Sequence, residues 1–188
     1  MACTKEQFEM AKGEAEALID SHNIQIAENA RPFLSEAYAK MKAGGMLPKD
    51  ALKLPAELME LAYQYGYNLF QSGKYREALP IFSLLRQLDI SDLRTTFAIA
   101  ACHHYSGEYL EAAGNYLVYK YMDPLNPIPN YHLYDCYMKA EYLQTALYVL
   151  QEGIILCDRD PRHGELGERL RLEMEHLKEI LKSKYEWE

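Results

Sequence analysis

The sequence is poor in the residues and runs that mark a disulfide scaffold, a metal centre or a membrane span. It contains one Trp and four Cys, and no Cys-x-x-Cys spacing occurs. We therefore expect reduced thiols at Cys3, Cys102, Cys136 and Cys157. No apolar run approaches the roughly 18 residues that a membrane span needs, and the N-terminal stretch lacks the apolar core and cleavage site of a secretory signal. These absences predict a cytoplasmic protein.

Positive charge is also scarce. The 188 residues include 20 Lys and Arg against 28 Asp and Glu, a formal net charge of −8. Affinity for nucleic acid depends on clustered cations that neutralise phosphates. The composition therefore argues against a nucleic-acid partner.

No motif for catalysis or metal binding is present. The sequence has no Gly-x-Ser-x-Gly, no Walker A loop and no His-Glu-x-x-His. Cys102, His103 and His104 would diverge by about 100° per residue on a helix. His132 and Cys136 supply two ligands where a structural zinc site needs four. We predict no enzyme, no metal and no other cofactor.

What the sequence has in excess is Tyr. It contains 16 Tyr against five Phe and one Trp, and 14 of the 16 lie between Tyr63 and Tyr148. Tyr joins a large apolar ring to a hydroxyl that tolerates water. Such a concentration favours a surface that is covered at some times and wet at others.

A repeat of 34 residues runs through the same region. Four positions recur at this spacing, first as Gly73, Tyr75, Ala78 and Phe82, then as Gly107, Tyr109, Ala112 and Tyr116, and finally as Glu141, Leu143, Ala146 and Leu150. This is the period of the tetratricopeptide (TPR) repeat, which forms one helical hairpin per unit. It predicts units at about 59–92, 93–126 and 127–160.

Each recurring position has a physical reason. A turn Gly can adopt the left-handed conformation that ends the first helix, and Glu141 replaces it in the third unit. The Ala position lies where two helices approach closely, since a larger side chain would overpack at a cost of roughly 1–3 kcal/mol. Tyr75 and Tyr109 begin second helices, and Pro124 ends the second unit because it cannot continue a helix.

The rest of the chain is predicted to form further helices. Thr4 and Gln7 make a capping-box pattern before a helix over 4–20, and "RPFLSEAYAKMKAGG" has Pro near a helix start and a Gly pair past its end. The C-terminal helix has an apolar stripe that can cover the last repeat, made of Leu166, Leu170, Met174, Leu177 and Leu181. We predict an all-α chain with an N-terminal helical extension over 1–54, three TPR hairpins over 55–160 and a capping helix over 161–188.

The first repeat helix, over about 56–71, has two apolar faces where a surface helix needs one. One face, expected to pack on the partner helix of its hairpin, consists of Leu61, Tyr65, Gly66 and Leu69. The other, roughly opposite, follows the spacing i, i+4, i+7 with Tyr63, Tyr67 and Phe70. The second face is therefore available for another function.

This second face recurs in the next two units. Because the first helices of stacked hairpins line the concave side, we predict a peptide-binding groove of nine residues: Tyr63, Tyr67, Phe70, Phe97, Ala101, His104, Tyr131, Asp135 and Met138. With helices about 8–10 Å apart, three repeats give a groove of roughly 30 Å, which fits about nine residues of extended peptide. In the alternative interpretation, the N-terminal 50 residues or a second copy of the chain cover this face permanently.

Three segments resemble a known family. "KMKAGGML", "LAYQYGYNLFQSGKYREALPIFSLL" and "AACHHYSGEYLEAA", within roughly residues 35–160, are similar to the class II chaperones of bacterial type III secretion, the LcrH/SycD/IpgC type. The resemblance implies three TPR hairpins that bind hydrophobic translocator proteins in the bacterial cytosol before export. It puts Tyr63, Tyr67, Phe70, Phe97 and Tyr131 at the positions that hold an extended N-terminal segment of the translocator. It also implies a homodimer formed through the N-terminal part, although the extension over 1–34 is longer than expected.

Two other functions are compatible with a TPR array. A co-chaperone that clamps an acidic C-terminal tail would need Lys, Arg and Asn in the groove, whereas these positions are aromatic and Asp135 adds negative charge. A scaffold subunit would bury the aromatic face permanently in an assembly. We predict the secretion chaperone, with the scaffold subunit as the alternative.

Overall fold

The computed structural model describes residues 4–21, 27 and 29–185, so that Cys3 and the end of the predicted C-terminal helix lie outside the described part. Within these residues the chain is helical without a β-strand, which confirms the all-α prediction. Its helices are α1 (Lys5–Ser21), α2 (Arg31–Gly44), α3 (Pro48–Ala51), α4 (Ala56–Gln71), α5 (Tyr75–Leu88), α6 (Leu93–Tyr105), α7 (Tyr109–Met122), α8 (Ile128–Lys139), α9 (Leu143–Arg159) and α10 (Gly164–Tyr185), with a 3₁₀ turn at Pro161–His163. None of these described helices has the length and apolar character needed to cross a bilayer.

The chain divides into two compact units by its internal contacts. The first comprises Met1–Ala62 and Leu84–Ile90, and the second comprises Tyr63–Ser83 and Ser91–Glu188. The second unit therefore holds α6 to α10 together with most of the α4–α5 hairpin, which includes the aromatic positions singled out by the sequence.

In the first unit, α1 begins with the capping box expected from the sequence. Thr4 Oγ1 accepts a hydrogen bond from the backbone N–H of Gln7 at 3.3 Å, and Gln7 Oε1 accepts one from the backbone N–H of Thr4 at 3.0 Å. One face of α1 then buries Ala11, Ala15 and Ile19, which lie at the helical spacing of four residues. The capping-box prediction is confirmed.

The second helix of this unit packs on the first and ends as its sequence predicts. α2 buries Ala37 and Ala39, and Lys42 forms an ion pair with Glu14 of α1. Gly45 follows the helix with φ of 63° and donates its amide to carbonyls of the last turn. This left-handed C-cap is the conformation that Gly adopts without steric cost.

The three hairpin turns of the repeat share one backbone conformation. Gly73 has φ of 75° and Gly107 has φ of 80°. Glu141, at the same position in the third repeat, also has a positive φ of 64°. A side chain in this region costs roughly 1–2 kcal/mol relative to Gly. The fold therefore imposes the same turn on the third repeat, although Glu141 replaces the Gly there.

The second helix of each hairpin begins at the same repeat position. α5 starts at Tyr75, α7 at Tyr109 and α9 at Leu143. Three residues further on in each helix, the small side chains of Ala78, Ala112 and Ala146 are fully buried. These alanines allow neighbouring helices to approach closely.

Gly66 and Gly153 permit two further close approaches in the second unit. A Cβ on Gly66 would lie 3.0 Å from the Phe82 ring, and a Cβ on Gly153 would lie 2.9 Å from both Asn130 Cβ and Leu170 Cδ1. The first contact brings α4 onto α5, and the second brings α9 between α8 and α10.

The C-terminal helix packs on the third hairpin, as its apolar stripe predicts. Leu170 and Leu177 are completely buried in a cluster with residues of α8 and α9, and the other stripe residues pack against it. Tyr134 of α8 donates a hydrogen bond to Glu173 Oε2 at 2.9 Å. α10 therefore covers the end of the repeat array.

One expectation about α4 is wrong. Leu61 and Tyr65 were assigned to the face that packs on the partner helix, but they are 67% and 60% exposed. Instead the Tyr63 ring packs on Phe82, with centroids 5.5 Å apart. The face of α4 that packs on α5 is therefore centred on Gly66, because the missing Cβ allows close contact with Phe82. Tyr63 belongs to this face, whereas Leu61 and Tyr65 do not.

Candidate functional site

An apolar pocket lies in the second unit. Its volume is about 200 Å³. Five of the nine predicted groove residues line it, namely Tyr63, Tyr67, Phe70, Phe97 and Ala101. The other lining residues are Phe82, Ala98, Tyr105, Tyr116 and His132. The structure therefore brings together the residues of the predicted groove that come from the first and second repeats.

One side of the pocket is formed by α4 and a residue of α5. The Tyr63 and Tyr67 rings are nearly parallel, with an interplanar angle of 9° and centroids 6.5 Å apart. The Arg94 guanidinium lies 4.8 Å from the centroid of the Tyr63 ring, a cation–π distance. Tyr67 also accepts a hydrogen bond from Gln71 Nε2 at 2.7 Å. These contacts restrict both rings to orientations that face the pocket.

Three rings surround the first hairpin turn. Phe70, just before the turn, and Tyr75, just after it, have centroids 5.2 Å apart, and Tyr105 of the next hairpin lies 5.5 Å from the first and 5.3 Å from the second. The aromatic residues on either side of this turn thus connect one hairpin to the next. They also hold Phe70 in place as a lining residue.

The opposite side is an aromatic cluster of α6, α7 and α8. Phe97 lies edge-on to Tyr116 at 5.4 Å and to His132 at 5.2 Å. Tyr116 and His132 are stacked, with centroids 5.0 Å apart and an interplanar angle of 11°. Burial raises the pKa of the Tyr116 phenol far above its ordinary value. Tyr116 is therefore a neutral packing residue.

His104 and Asp135, two further predicted groove residues, form a polar pair next to this cluster. His104 Nε2 lies 2.6 Å from Asp135 Oδ2, which also accepts a hydrogen bond from Lys139 Nζ at 2.8 Å. Burial alone would raise the pKa of Asp135, but the hydrogen bonds from Lys139 and His104 outweigh it and hold this pKa below its ordinary value. The carboxylate thus remains charged and already has partners.

Tyr131 and Met138, the last two predicted groove residues, do not line the pocket. Both pack against the cluster that joins α8 and α9 to α10, and the Arg169 guanidinium of α10 lies 4.4 Å from the Tyr131 ring centroid. Adjacent residues on a helix point about 100° apart. The rotation of α8 therefore directs His132 into the pocket in place of Tyr131.

Sequence reasoning missed five lining residues. Phe82 and Tyr116 occupy the same repeat position and were predicted only as members of the 34-residue repeat. Ala98 directly follows Phe97, and Tyr105 ends α6 beside its turn. His132 was rejected as a metal ligand and was not among the nine predicted groove residues. The repeat register could have identified Phe82 and Tyr116, whereas His132 depends on the orientation of α8.

The thiols near the site have no features of a nucleophile. Burial raises the pKa of Cys102 to about 11 and that of Cys136 to about 12, so both are protonated near neutral pH. Within the described ranges, no group of three or more His, Cys, Asp or Glu side chains could hold a metal ion. What the described site provides is a set of aromatic surfaces for binding.

The chain is similar to translocator chaperones of known sequence and structure, although no family model matches it. It is 29% identical over 141 residues to low calcium response locus protein H of Yersinia pseudotuberculosis, an alignment that covers 73% of this chain and 82% of that protein. The type III secretion translocator chaperone SycD of Yersinia enterocolitica superposes with a TM-score of 0.65 and 28% identity, covering 71% of this chain and 99% of SycD.

A second chaperone structure contains a bound client segment. PcrH, in complex with the chaperone-binding region of PopD, superposes with a TM-score of 0.63 and 28% identity, covering 68% of this chain and 96% of PcrH. The helical repeat fold, the sequence similarity and these structural matches agree with one another. The chain is therefore similar in sequence and in fold to the class II chaperones of type III secretion, the group of LcrH, SycD and PcrH.

Proposed function

We propose that this chain binds a hydrophobic translocator of a type III secretion system in the bacterial cytosol and keeps it from aggregating before export. The aromatic pocket lined by Tyr63, Tyr67, Phe70 and Phe97 takes an apolar side chain from an extended segment of the translocator. The observation that carries this proposal is the convergence of these side chains on one apolar pocket, in a fold similar to that of PcrH bound to a segment of PopD.

The size and chemistry of the pocket support a single apolar anchor. A cavity of about 150 Å³ lined by apolar side chains accommodates benzene, so about 200 Å³ has room for an aliphatic or aromatic side chain. Complete burial of a Val, Leu, Ile, Phe or Met side chain contributes roughly 1.5–3 kcal/mol. One such anchor is too weak by itself for stable capture, so the client must make further contacts along the chain.

The mechanism is stoichiometric binding without chemistry. Tyr and Phe dominate the pocket lining, and aromatic anchors tend to dominate binding energy at interfaces. The net charge of −8 gives the complex a charge that opposes association with other complexes.

We further propose a division of labour along the chain. Residues 55–160 bind the client, residues 161–188 cover the last repeat, and residues 1–54 mediate a homodimer. The exposed apolar side chains of Met10 and Leu18 on α1, at 63% and 45%, support the last assignment. Light scattering coupled to gel filtration tests it, because a monomer at micromolar concentration would contradict the dimer.

Co-purification from the native cytosol tests the client class. The tagged wild type is expected to recover a protein with apolar segments of transmembrane length, identified by mass spectrometry. Tyr67→Ala and Phe97→Ala are each expected to weaken this binding by about 1–3 kcal/mol while the helical fold is retained. Circular dichroism of each variant checks the fold.

A matched control separates loss of the pocket from general loss of Tyr surface. Tyr148 of α9 is 64% exposed and is not a lining residue, so Tyr148→Ala should bind the client as the wild type does. Recovery of soluble secretion machinery alone, unaffected by the pocket variants, would refute the proposal. That result would favour the scaffold interpretation.

A further inference from the structure

His132 is the residue whose side chain brings imidazole nitrogens to a pocket otherwise lined by aromatic rings and Ala. Its ring stacks on Tyr116 and meets Phe97 edge-on at 5.2 Å, with an interplanar angle of 79°. The His104 ring is also nearly perpendicular to it, with centroids 6.1 Å apart. Tyr131 also lies edge-on to it, with centroids 5.5 Å apart. Tyr116 therefore covers one face of the imidazole, and its orientation is fixed by four neighbouring rings.

The hydrogen-bonding capacity of this imidazole is unused within the described part of the chain. Across residues 4–21, 27 and 29–185, neither ring nitrogen of His132 has a hydrogen-bond partner. The buried polar side-chain atoms without partners in that part of the chain are Ser35 Oγ and Asn130 Oδ1. The nitrogens of His132 therefore retain access to solvent, and the pocket that the ring lines provides it.

His132 is a neutral donor and acceptor. Its pKa is lowered to about 4, first by burial and then by the electrostatic interaction with His104, and Asp135 opposes these effects only in part. A neutral imidazole has one N–H donor and one nitrogen acceptor. The pocket thus offers a fixed acceptor without introducing a charge.

We propose that the unprotonated ring nitrogen of His132 accepts a hydrogen bond from a main-chain amide of the bound segment and thereby fixes the register of its apolar anchor. This inference rests on the proposed function, since it names the group that orients the same client in the same pocket. Apolar pockets generally obtain orientation and specificity from a small number of such polar groups.

The main chain is the partner that geometry favours. Whatever apolar side chain fills the pocket, its own amide nitrogen is two bonds from its Cβ and so lies at the pocket mouth with it. The aromatic residues provide no register, because they accept any apolar side chain of suitable size. Successive main-chain amides of an extended segment point to opposite sides, so a shift by one residue turns the donor away from the imidazole.

The same hydrogen bond discriminates against incorrectly placed segments. A client that covers the pocket removes water from His132, and a buried acceptor left without a partner weakens binding. A segment shifted so that no amide faces the imidazole incurs this cost, as does one with Pro at the anchor position. His132 is thus a specificity-determining residue, whereas Tyr67 and Phe97 supply affinity.

Amide-to-ester substitution in a peptide of the PopD chaperone-binding region tests the inference. Each ester removes one N–H donor and leaves the side chains intact. Fluorescence anisotropy with the full-length chain is expected to show one ester position that weakens wild-type binding about 3- to 10-fold. In His132→Phe, which retains an aromatic ring against Tyr116, the same ester should have no effect.

Two control variants complete the experiment. His176 of α10 is exposed, so His176→Phe should retain the wild-type ester profile. His132→Gln keeps an acceptor and a donor without the ring, and is expected to retain part of the ester effect at the same position. If His132→Phe fails to fold, His132→Leu, which also lacks ring nitrogens, takes its place.

The two proposals fail in different ways. If the wild type binds neither this peptide nor a translocator recovered by co-purification, the proposed function is refuted and this inference with it. If the peptide binds but every ester has the same effect on wild type and on His132→Phe, only the role of His132 is refuted. A merely structural role for His132 would shift the melting temperature and leave the ester profile unchanged.

Discussion

Gly153→Ala tests how closely the third hairpin and α10 must approach. The new Cβ would lie 2.9 Å from Asn130 Cβ and 2.9 Å from Leu170 Cδ1, whereas non-bonded carbon atoms are at their optimum near 3.5–4.0 Å. Both neighbours are completely buried, and Asn130 is held by a hydrogen bond to the Val149 carbonyl at 3.0 Å. Neither can move aside without displacing a helix.

The expected loss of stability follows from two opposing effects. Overpacking of a well-packed core costs roughly 1–3 kcal/mol, and replacing Gly by Ala within a helix recovers roughly 0.5–1 kcal/mol. The net destabilisation is then up to about 2.5 kcal/mol. For a chain of this length, 1 kcal/mol shifts the melting temperature by roughly 2–4 °C, so a decrease of up to about 10 °C is expected.

Thermal unfolding followed by circular dichroism measures this change, and the chain provides a matched control. Gly114 lies in α7, is exposed, and has no heavy atom within 4 Å of an added Cβ. Gly114→Ala should therefore raise the melting temperature through helix propensity alone. If Gly153→Ala raised it equally, the close packing of α9 between α8 and α10 would be refuted.

Three further predictions concern the turn, the imidazole and the pocket. Glu141→Gly should stabilise the chain by up to about 1.5 kcal/mol in urea unfolding. Gly relieves the strain of the positive φ of 64° at this position, which costs roughly 1–2 kcal/mol, and loses roughly 0.5–1 kcal/mol more conformational entropy on folding. Gly107→Ala should destabilise the chain. Between pH 8 and pH 5 the free energy of unfolding of the wild type should decrease by about 2 kcal/mol through His132, because its pKa falls from 6.5 to about 4 on folding and the unfolded chain then binds the additional proton. His132→Gln should show a correspondingly smaller decrease. An identical pH profile of the two proteins would contradict the lowered pKa of His132. Ala98→Leu should fill the pocket and weaken client binding at least about tenfold, with the melting temperature nearly unchanged. If this variant bound the client as tightly as the wild type, the client would bind elsewhere on the chain.

Features that depend on neighbouring residues were predictable from the sequence. The capping box of Thr4 and Gln7 and the left-handed turns at Gly73 and Gly107 follow from backbone conformation over three or four residues. The 34-residue period likewise locates the starts of the second helices at Tyr75 and Tyr109. Local sterics and hydrogen bonding leave few alternatives at such positions.

The candidate site was predictable only in part. Tyr63, Tyr67 and Phe70 lie on one helix, so their common orientation follows from the spacing i, i+4, i+7. That Phe97 and Ala101 join them follows from the repeat. The exposure of Leu61 and Tyr65 could not be predicted, because an amphipathic wheel with two apolar faces does not indicate which face packs inward.

The sequence alone determined the helical class, the repeat period and the aromatic character of the binding surface, since these depend on local spacing and composition. Only the tertiary structure decided that His132, and not Tyr131, lines the pocket. The rotation of α8 is set by the close packing of Gly153 against Asn130 and by the contacts of α8 with α10. Both contacts join residues far apart in the sequence, and a rotation of about 100° exchanges one residue for its neighbour.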